Sequence, residues 1–283
     1  MTILGSVGEL HRYPVKSMLG EALASAEVAT RGIVGDRVHA LIDVATGKVA
    51  SAKLPHRWRA LLGYAASYGE GGVSITAPDG DCFAATGSDA RMSAALGRAV
   101  TMAAARPADL AIDRADPDAV AAAGVGADVA HIVRPLGAAA PEGGFFDFAP
   151  IHVITRGSVA AIAAVADDVS VGRFRPNIVI DAPDLAAFAE NAWAGGILAI
   201  GATLRLEILI PTPRCAVPTL TFGSGVASPK LTTIIGQHNR VPVPGMGALA
   251  CLGAYARVAQ AGVIAPGDAV SWQAPPIAAT ATQ

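Results

Sequence analysis

Ala202-Thr-Leu-Arg-Leu-Glu-Ile-Leu-Ile-Pro-Thr-Pro-Arg-Cys-Ala-Val-Pro-Thr219 is a strand that runs into a stiffened loop. Leu204, Leu206, Ile208 and Ile210 alternate with Thr203, Arg205 and Glu207, the period-two pattern of a half-buried β-strand. Pro211, Pro213 and Pro218 then straddle Arg214 and Cys215. Each proline fixes φ and removes an amide donor, so the segment after the strand has few conformations open to it. A cysteine held beside an arginine suits a soft, partly ionised sulfur. The neighbouring cation favours thiolate, which is the form that binds metals and attacks electrophiles. Taken alone, such a cysteine reads first as a buried residue without a role, because free Cys is among the most buried residue types.

The rest of the chain bounds what that loop can serve. Its 283 residues allow about two domains or one large β-rich one, enough to bury a core. Hydrophobic content is 52% and charged content 16%, much of the former alanine, which fits a compact globular protein. The most apolar helical run, 158–166, falls far short of the ~20 residues that span a bilayer. The N-terminus lacks a basic segment followed by an apolar one, so no signal peptide is expected. The net charge of −2 gives no reason to expect nucleic acid as a partner. Cys82, Cys215 and Cys251 are odd in number and widely separated. They form neither a disulfide framework nor a zinc or iron–sulfur spacing, and a reducing cytoplasm is expected.

Short strands are expected over 3–12, 23–28, 38–44, 48–52, 58–68 and 73–77, with turn signals at Thr46-Gly47 and Pro78-Asp-Gly80. Strands this short and this close suggest a barrel or sandwich rather than βαβ units. A helix is expected from Ser88 to about Gly97. The pattern weakens over 107–144, read as a connecting region with one short helix. Beyond it lie strands at 151–155 and 173–181, an alanine-rich helix capped by Ser158, and the strand of the opening stretch. A helical segment at 229–235, a strand at 249–258, a turn at 262–268 and a final strand at 269–272 complete the pattern. The division is 1–106, 107–144 and 145–272, followed by a frayed tail at 273–283.

No GxGxxG after a strand, GxxxxGK[ST], HExxH, GxSxG or CxxC is present. The six histidines are scattered. His152 reads as a satisfied core residue and Glu190 as a solvated carboxylate. What remains is a set of cationic and polar residues at strand ends and in loops: Lys16, Ser17, Arg37, Lys53, Arg173, Arg175, Asn177 and Arg214. Singly these are ordinary surface groups. Together they suit an anion pocket beside Cys215, because Arg forks, Lys charges and hydroxyl or amide donors bind phosphate.

Tyr13-Pro-Val-Lys-Ser17, Gly35-Asp-Arg37, Arg173-Phe-Arg-Pro-Asn-Ile-Val-Ile180, Arg214-Cys215 and Pro266-Gly-Asp268 resemble the signatures of the MOSC family. That family takes its name from the C-terminal domain of molybdenum-cofactor sulfurases. The block order is similar to members that carry an N-terminal MOSC-type β-barrel, the amidoxime-reducing components among them, and it covers about residues 3–272. The resemblance implies a β-rich α+β fold in which an N-terminal MOSC-type barrel packs on a MOSC barrel with a few short helices. It implies a molybdenum–molybdopterin cofactor with Cys215 as thiolate ligand to the metal. Asp147 would lie near the metal, and the cationic set would hold the pterin and its phosphate. It implies an oxidoreductase that removes oxygen from N-hydroxylated small molecules. Its electrons would come from separate flavin, iron–sulfur or haem proteins, since the chain has no cysteine spacing for a fused ferredoxin. Two alternatives stay open: a carrier of the cofactor or of sulfur as a persulfide, and a molybdenum-free scaffold for another anion. The second rests on departures from the family pattern, Pro213 where a serine is frequent and Phe148-Ala149-Pro150 where hydroxyl residues occur.

Overall fold

The computed structural model describes residues 2–275. Seven strands close a barrel: β1 (Thr2–Arg12), β2 (Ile151–Thr155), β3 (Ile178–Asp181), β4 (Ile197–Ile200), β5 (Leu204–Pro213), β6 (Gly247–Gln260) and β7 (Ala269–Gln273). The order round the barrel is β2-β3-β1-β7-β4-β5-β6, and β6 returns to β2 through pairs such as His152↔Tyr255. Only β2 and β3 run parallel. Closure leaves no free sheet edge among these seven. The alternation read at 204–210 is realised: Leu204, Leu206, Ile208 and Ile210 are buried, while Arg205 and Glu207 are half-buried. They join Leu10, Ile151, Ile178, Leu198 and Val270 in the barrel core.

A second core belongs to the N-terminal half, where Met18, Leu54, Trp58, Leu61, Ile75 and Met92 pack together. It is enclosed by the sheet Ala65–Gly69, Gly72–Thr76, Cys82–Ala84, by the pair Ala40–Asp43 with Val100–Ala103, and by the helix Asp89–Leu96. That helix ends at Gly97 with φ 61°, the left-handed cap a glycine supplies without strain. The two halves are interlocked by strand exchange. β1 is the first strand of the chain yet pairs with β3 and β7, so the C-terminal barrel is closed by N-terminal residues. Reciprocally, Gly262–Ile264, expected as part of a turn, pairs with Ala26–Ala29.

Other expectations shift for local reasons. Residues 173–181 divide into a helical turn, Val171–Phe174, and β3. Pro176 disfavours the right-handed helical region at Arg175, which turns instead at φ 54°. Residues 48–52 form only the isolated bridge Ile42↔Val49, and 58–68 begins in the helical turns Pro55–Trp58 and Arg59–Gly63, started by Pro55, before the strand Ala65–Gly69. The connecting region holds a hairpin, Ala111–Ala115 with His131–Pro135, besides the helix Pro117–Ala123. The tail beyond 275 lies outside the described residues.

The helix Arg156–Ala163 is capped by Thr155, whose hydroxyl accepts from the Ser158 amide at 3.2 Å. Ser158, expected as the cap, is buried and donates to Glu190 at 2.8 Å. Glu190 is therefore not a solvated carboxylate: it is 1% exposed, and Oε2 also accepts from Thr155 at 3.1 Å. Its other oxygen has no partner among the described residues. Burial raises the Glu190 pKa, outweighing these hydrogen bonds. The protonated form's contribution to stability is intact below the unfolded value of about 4.3 and drains away as pH rises through the higher folded value. Glu190→Gln is expected to remove that decline and to stabilise the chain by roughly 1 kcal/mol at pH 8. Paired chemical denaturation curves at pH 5 and pH 8 check it, and an unchanged pH dependence refutes it.

Candidate functional site

β1 ends at Arg12, and the chain passes directly into Tyr13-Pro-Val-Lys-Ser17 between the two cores. Backbone bonds lock this turn to the segment around Arg37: the His39 amide donates to Pro14 at 3.0 Å and the Lys16 amide to His39 at 2.9 Å. Six non-glycine residues among those described have positive φ. Three of them, Ser17, Arg37 and Arg175, lie together on one cavity. Each such conformation costs about 1–3 kcal/mol and persists where surrounding structure enforces it, often at functional sites.

That cavity holds about 760 Å3 of open space, counting its mouth, and lies between the barrel and the N-terminal core. Lys16, Ser17, Arg37, Lys53, Asp147, Arg175, Asn177, Arg214 and Cys215 all line it. Residues far apart in sequence therefore meet there. Arg173 is the exception. It is 4% exposed and spends its guanidinium on backbone carbonyls, with Nη1 donating to Pro218 at 3.1 Å and to Leu220 at 2.7 Å. Nε and Nη2 donate to Asp168 and Val226. Arg173 pins the loop after Cys215 rather than facing the cavity.

The charges are arranged asymmetrically. Lys16 Nζ donates to Asp147 Oδ1 at 2.6 Å and to the Phe145 carbonyl at 2.9 Å, while Lys53 Nζ lies 3.1 Å from the same carboxylate oxygen. Burial pulls Lys16 down to about 8 despite Asp147, and Lys53 adds to the fall. Burial acts against Lys53 too, but Asp147 and then Cys215 outweigh it and hold its pKa above the usual lysine value. Burial would raise Asp147, but the two ammonium groups prevail and keep it ionised. Its side chain remains 34% accessible, so solvent weakens these attractions.

The guanidinium groups of Arg37 and Arg175 lie 4.6 and 4.3 Å from the centre of the Tyr13 ring. Asp36 orients Arg37 and accepts from the Tyr13 amide at 2.7 Å and from Asn177 Nδ2 at 3.0 Å. Asn177 also accepts from the His152 amide at 3.1 Å, so it ties β2 to Asp36. Burial, then Arg37, lowers Arg175 to about 10, which leaves it charged at neutral pH.

β5 continues through Pro213, two residues beyond the expected start of the loop, because Pro211 and Pro213 face β6 across bulges where no amide is needed. It releases the chain at Arg214-Cys215. Arg214 donates to Phe174 at 3.1 Å and to Leu252 at 3.4 Å, while its Nε is buried without a partner among the described residues. Cys215 is 9% exposed among Ala52, Leu62, Val217 and Leu220, and the next residue, Ala216, belongs to the N-terminal core. The cysteine thus sits on the seam between the modules.

Residues 141–271 match the MOSC domain, and residues 4–115 match the MOSC N-terminal beta barrel domain. This chain is a MOSC protein. Among solved structures it is similar to YiiM from Geobacillus stearothermophilus, with 21% identity and a TM-score of 0.31 over 44% of this chain and 54% of that one. It is also similar to the APC1665 YUAD protein from Bacillus subtilis, with 12% identity and a TM-score of 0.43 over 95% and 94% of the two chains. No curated protein matches in sequence.

Two residues that line the cavity were not read as site residues from the sequence. Tyr255 on β6 packs against Phe148 and His152, with ring centres 5.4 and 5.7 Å apart, and lines the cavity. His152 is buried as expected, yet it also lines the cavity. Burial, then Arg214, drops it to about 3, so it stays neutral. Arg114 donates to the Arg214 carbonyl at 3.4 Å from the connecting hairpin. Nothing in an apolar strand or a weakly patterned segment singles these out. No three His, Cys, Asp or Glu side chains gather as a metal-ligand set among the described residues, and no described helix is long and apolar enough to cross a membrane.

Proposed function

We propose that this MOSC protein holds a molybdenum–molybdopterin cofactor in the cavity between its modules and reduces N-hydroxylated small molecules. The observation that carries the reading is the donor set. One buried thiol lies on a cavity whose polar lining is otherwise mainly cationic, and Arg214 Nε there is an unmet donor. A lone protein sulfur cannot hold a metal by itself, so a metal here must arrive with ligands of its own. An anionic organic cofactor provides them, and the arginines and lysines suit its phosphate.

When bound, such a cofactor supplies the two-electron chemistry, with Cys215 as the protein's thiolate ligand. The other roles belong to the chain. Lys16, Arg37 and Arg175 hold phosphate, and Arg214 reaches the same cavity from the cysteine loop. The Lys53 ammonium and an anionic Cys215 sulfur attract each other. Asp147 stays ionised and acts as an acceptor that keeps the two lysines in place. Lys16, at about 8, is placed to give up or regain a proton near neutral pH, whereas His152 is not. Electrons come from separate redox proteins. Burial of Cys215 weighs against the sulfur-carrier reading, in which the sulfur must meet a second protein.

Protein produced with molybdate is expected to contain about one molybdenum per chain and to release a fluorescent oxidised pterin on denaturation. Elemental mass spectrometry and pterin fluorescence measure both. Their absence from protein reconstituted with the cofactor overturns the reading.

A further inference from the structure

The cavity does not end at Cys215. Lys53, Asp147, Pro213 and Tyr255 also line a second cleft, which adds Arg114, Arg134, Ile112 and Met246. Arg114, Arg134 and Met246 line in turn a third, which adds Arg240 and Ile132 and touches Arg214. The three clefts therefore adjoin one another from the connecting hairpin to the seam.

The connecting hairpin decides the chemistry of that path. Its register pairs Arg114 with Ile132 and Ile112 with Arg134. Side chains alternate faces along a strand, so these four share one face, and all four line the clefts. Asp113, on the opposite face, is already bonded to Lys48 at 2.7 Å. No carboxylate lies within salt-bridge distance of Arg114, Arg134 or Arg240 among the described residues. Asp116 and Asp118 line the same cleft, and Asp116 is engaged in capping the helix Pro117–Ala123. Ile132 is 49% exposed and Met246 41% exposed beside the arginines. A chain of net charge −2 thus presents forked cations alternating with apolar side chains at the mouth of its site.

The geometry points to the outer cleft as a binding site for a small molecule with an apolar body and an anionic head, carboxylate or phosphate, held by Arg134 and Arg240 with Arg114 beneath them. Guanidinium forks match either head, and the isoleucines and Met246 cover the body. This rests on the proposed function in one respect: the molecule so held is the substrate, and its N-hydroxyl end extends past Tyr255 toward Cys215.

The test uses the full chain and the double variant Arg134→Ala/Arg240→Ala, both exposed positions. Calorimetric titration with benzoate and with phenyl phosphate is expected to show binding that weakens at least tenfold in the double variant, while neutral benzamide binds neither protein. The stronger of the two anions identifies the head group. In cofactor-loaded protein, 4-carboxybenzamidoxime is expected to exceed benzamidoxime at least tenfold in kcat/KM, and the double variant to abolish that preference without changing turnover of the neutral compound. Equal anion binding by the two proteins overturns the inference. So does anion binding lost only in Arg175→Met, which places the anion in the inner cavity, or loss of an acidic redox protein's binding alone. A protein that binds benzoate through Arg134 and Arg240 but holds no molybdenum refutes the proposed function and leaves the anion site standing.

Discussion

Under the proposed function, Cys215→Ser is expected to lower turnover of benzamidoxime by about a thousandfold or more, beyond the roughly ten- to hundredfold expected when an outer-shell partner of a metal is lost. Serine offers a hydroxyl that stays protonated at neutral pH, where cysteine offers a soft sulfur that ionises readily. The substitution is nearly isosteric. The Cys215 carbonyl, which accepts from Thr232 at 2.9 Å, is retained. The exchange puts a hydroxyl among Ala52, Leu62, Val217 and Leu220, at a cost of about 1 kcal/mol. Steady-state kinetics, molybdenum content and thermal unfolding on the same preparation separate the two effects. A variant with wild-type turnover shows that the sulfur is no ligand; one that simply fails to fold is exposed by its unfolding curve, and Cys215→Ala then repeats the test.

The second large effect is expected in the protein with nothing bound in the cavity. Asp147→Asn leaves the Lys16 and Lys53 ammonium groups side by side with no carboxylate between them. Breaking a fully buried pair costs about 3–5 kcal/mol, and the partial exposure of Asp147 reduces that to roughly 2–3 kcal/mol here. The melting temperature falls by roughly 5–10 °C. The loss depends on pH. Lys16 at about 8 lies below the ~10.4 of an unfolded lysine, so the folded chain binds fewer protons between those values and its stability rises with pH across that window. Without Asp147, which supports the charged form, the lower edge of the window moves down, and the deficit against wild type is larger at pH 6 than at pH 9. Inorganic phosphate, an anion able to sit between the lysines, raises the melting temperature of the variant more than that of the wild type. Equal melting temperatures, or equal responses to phosphate, refute the account of Asp147 as the groups' internal counter-ion.

Much of the barrel could be read from local pattern. The alternation at 204–210 has one face buried and one half-exposed in β5, and the helix at 89–96 lies between Ser88 and the left-handed Gly97, although the Ser88 hydroxyl donates to Ala85 instead of capping the helix. These signals are short-ranged, which is why they are visible in the chain itself. The fate of Glu190 was not visible. A carboxylate between Ala189 and Asn191 carries no mark of the Thr155 and Ser158 hydroxyls that enclose it. Arg173 and Arg175 make the same point. They stand two residues apart in one motif, yet the turn enforced by Pro176 sends one guanidinium to four backbone carbonyls and the other to the cavity.

The sequence by itself determined the kinds of group available: one cysteine on a proline-stiffened loop, and cations and polar residues in blocks whose order is that of a MOSC chain. Local backbone chemistry is enough for that, because prolines, strand alternation and turn residues act over a few positions. Only the tertiary structure decided which of those groups meet. β1 leaves the N-terminal half to close the C-terminal barrel, and this brings Lys16 and Arg37 against Arg175 and Cys215. It left Arg173 outside, and it added Tyr255, His152 and the arginines of the connecting hairpin. Those choices rest on strand pairing and burial between residues more than a hundred positions apart, where a chain read in order carries no record of distance.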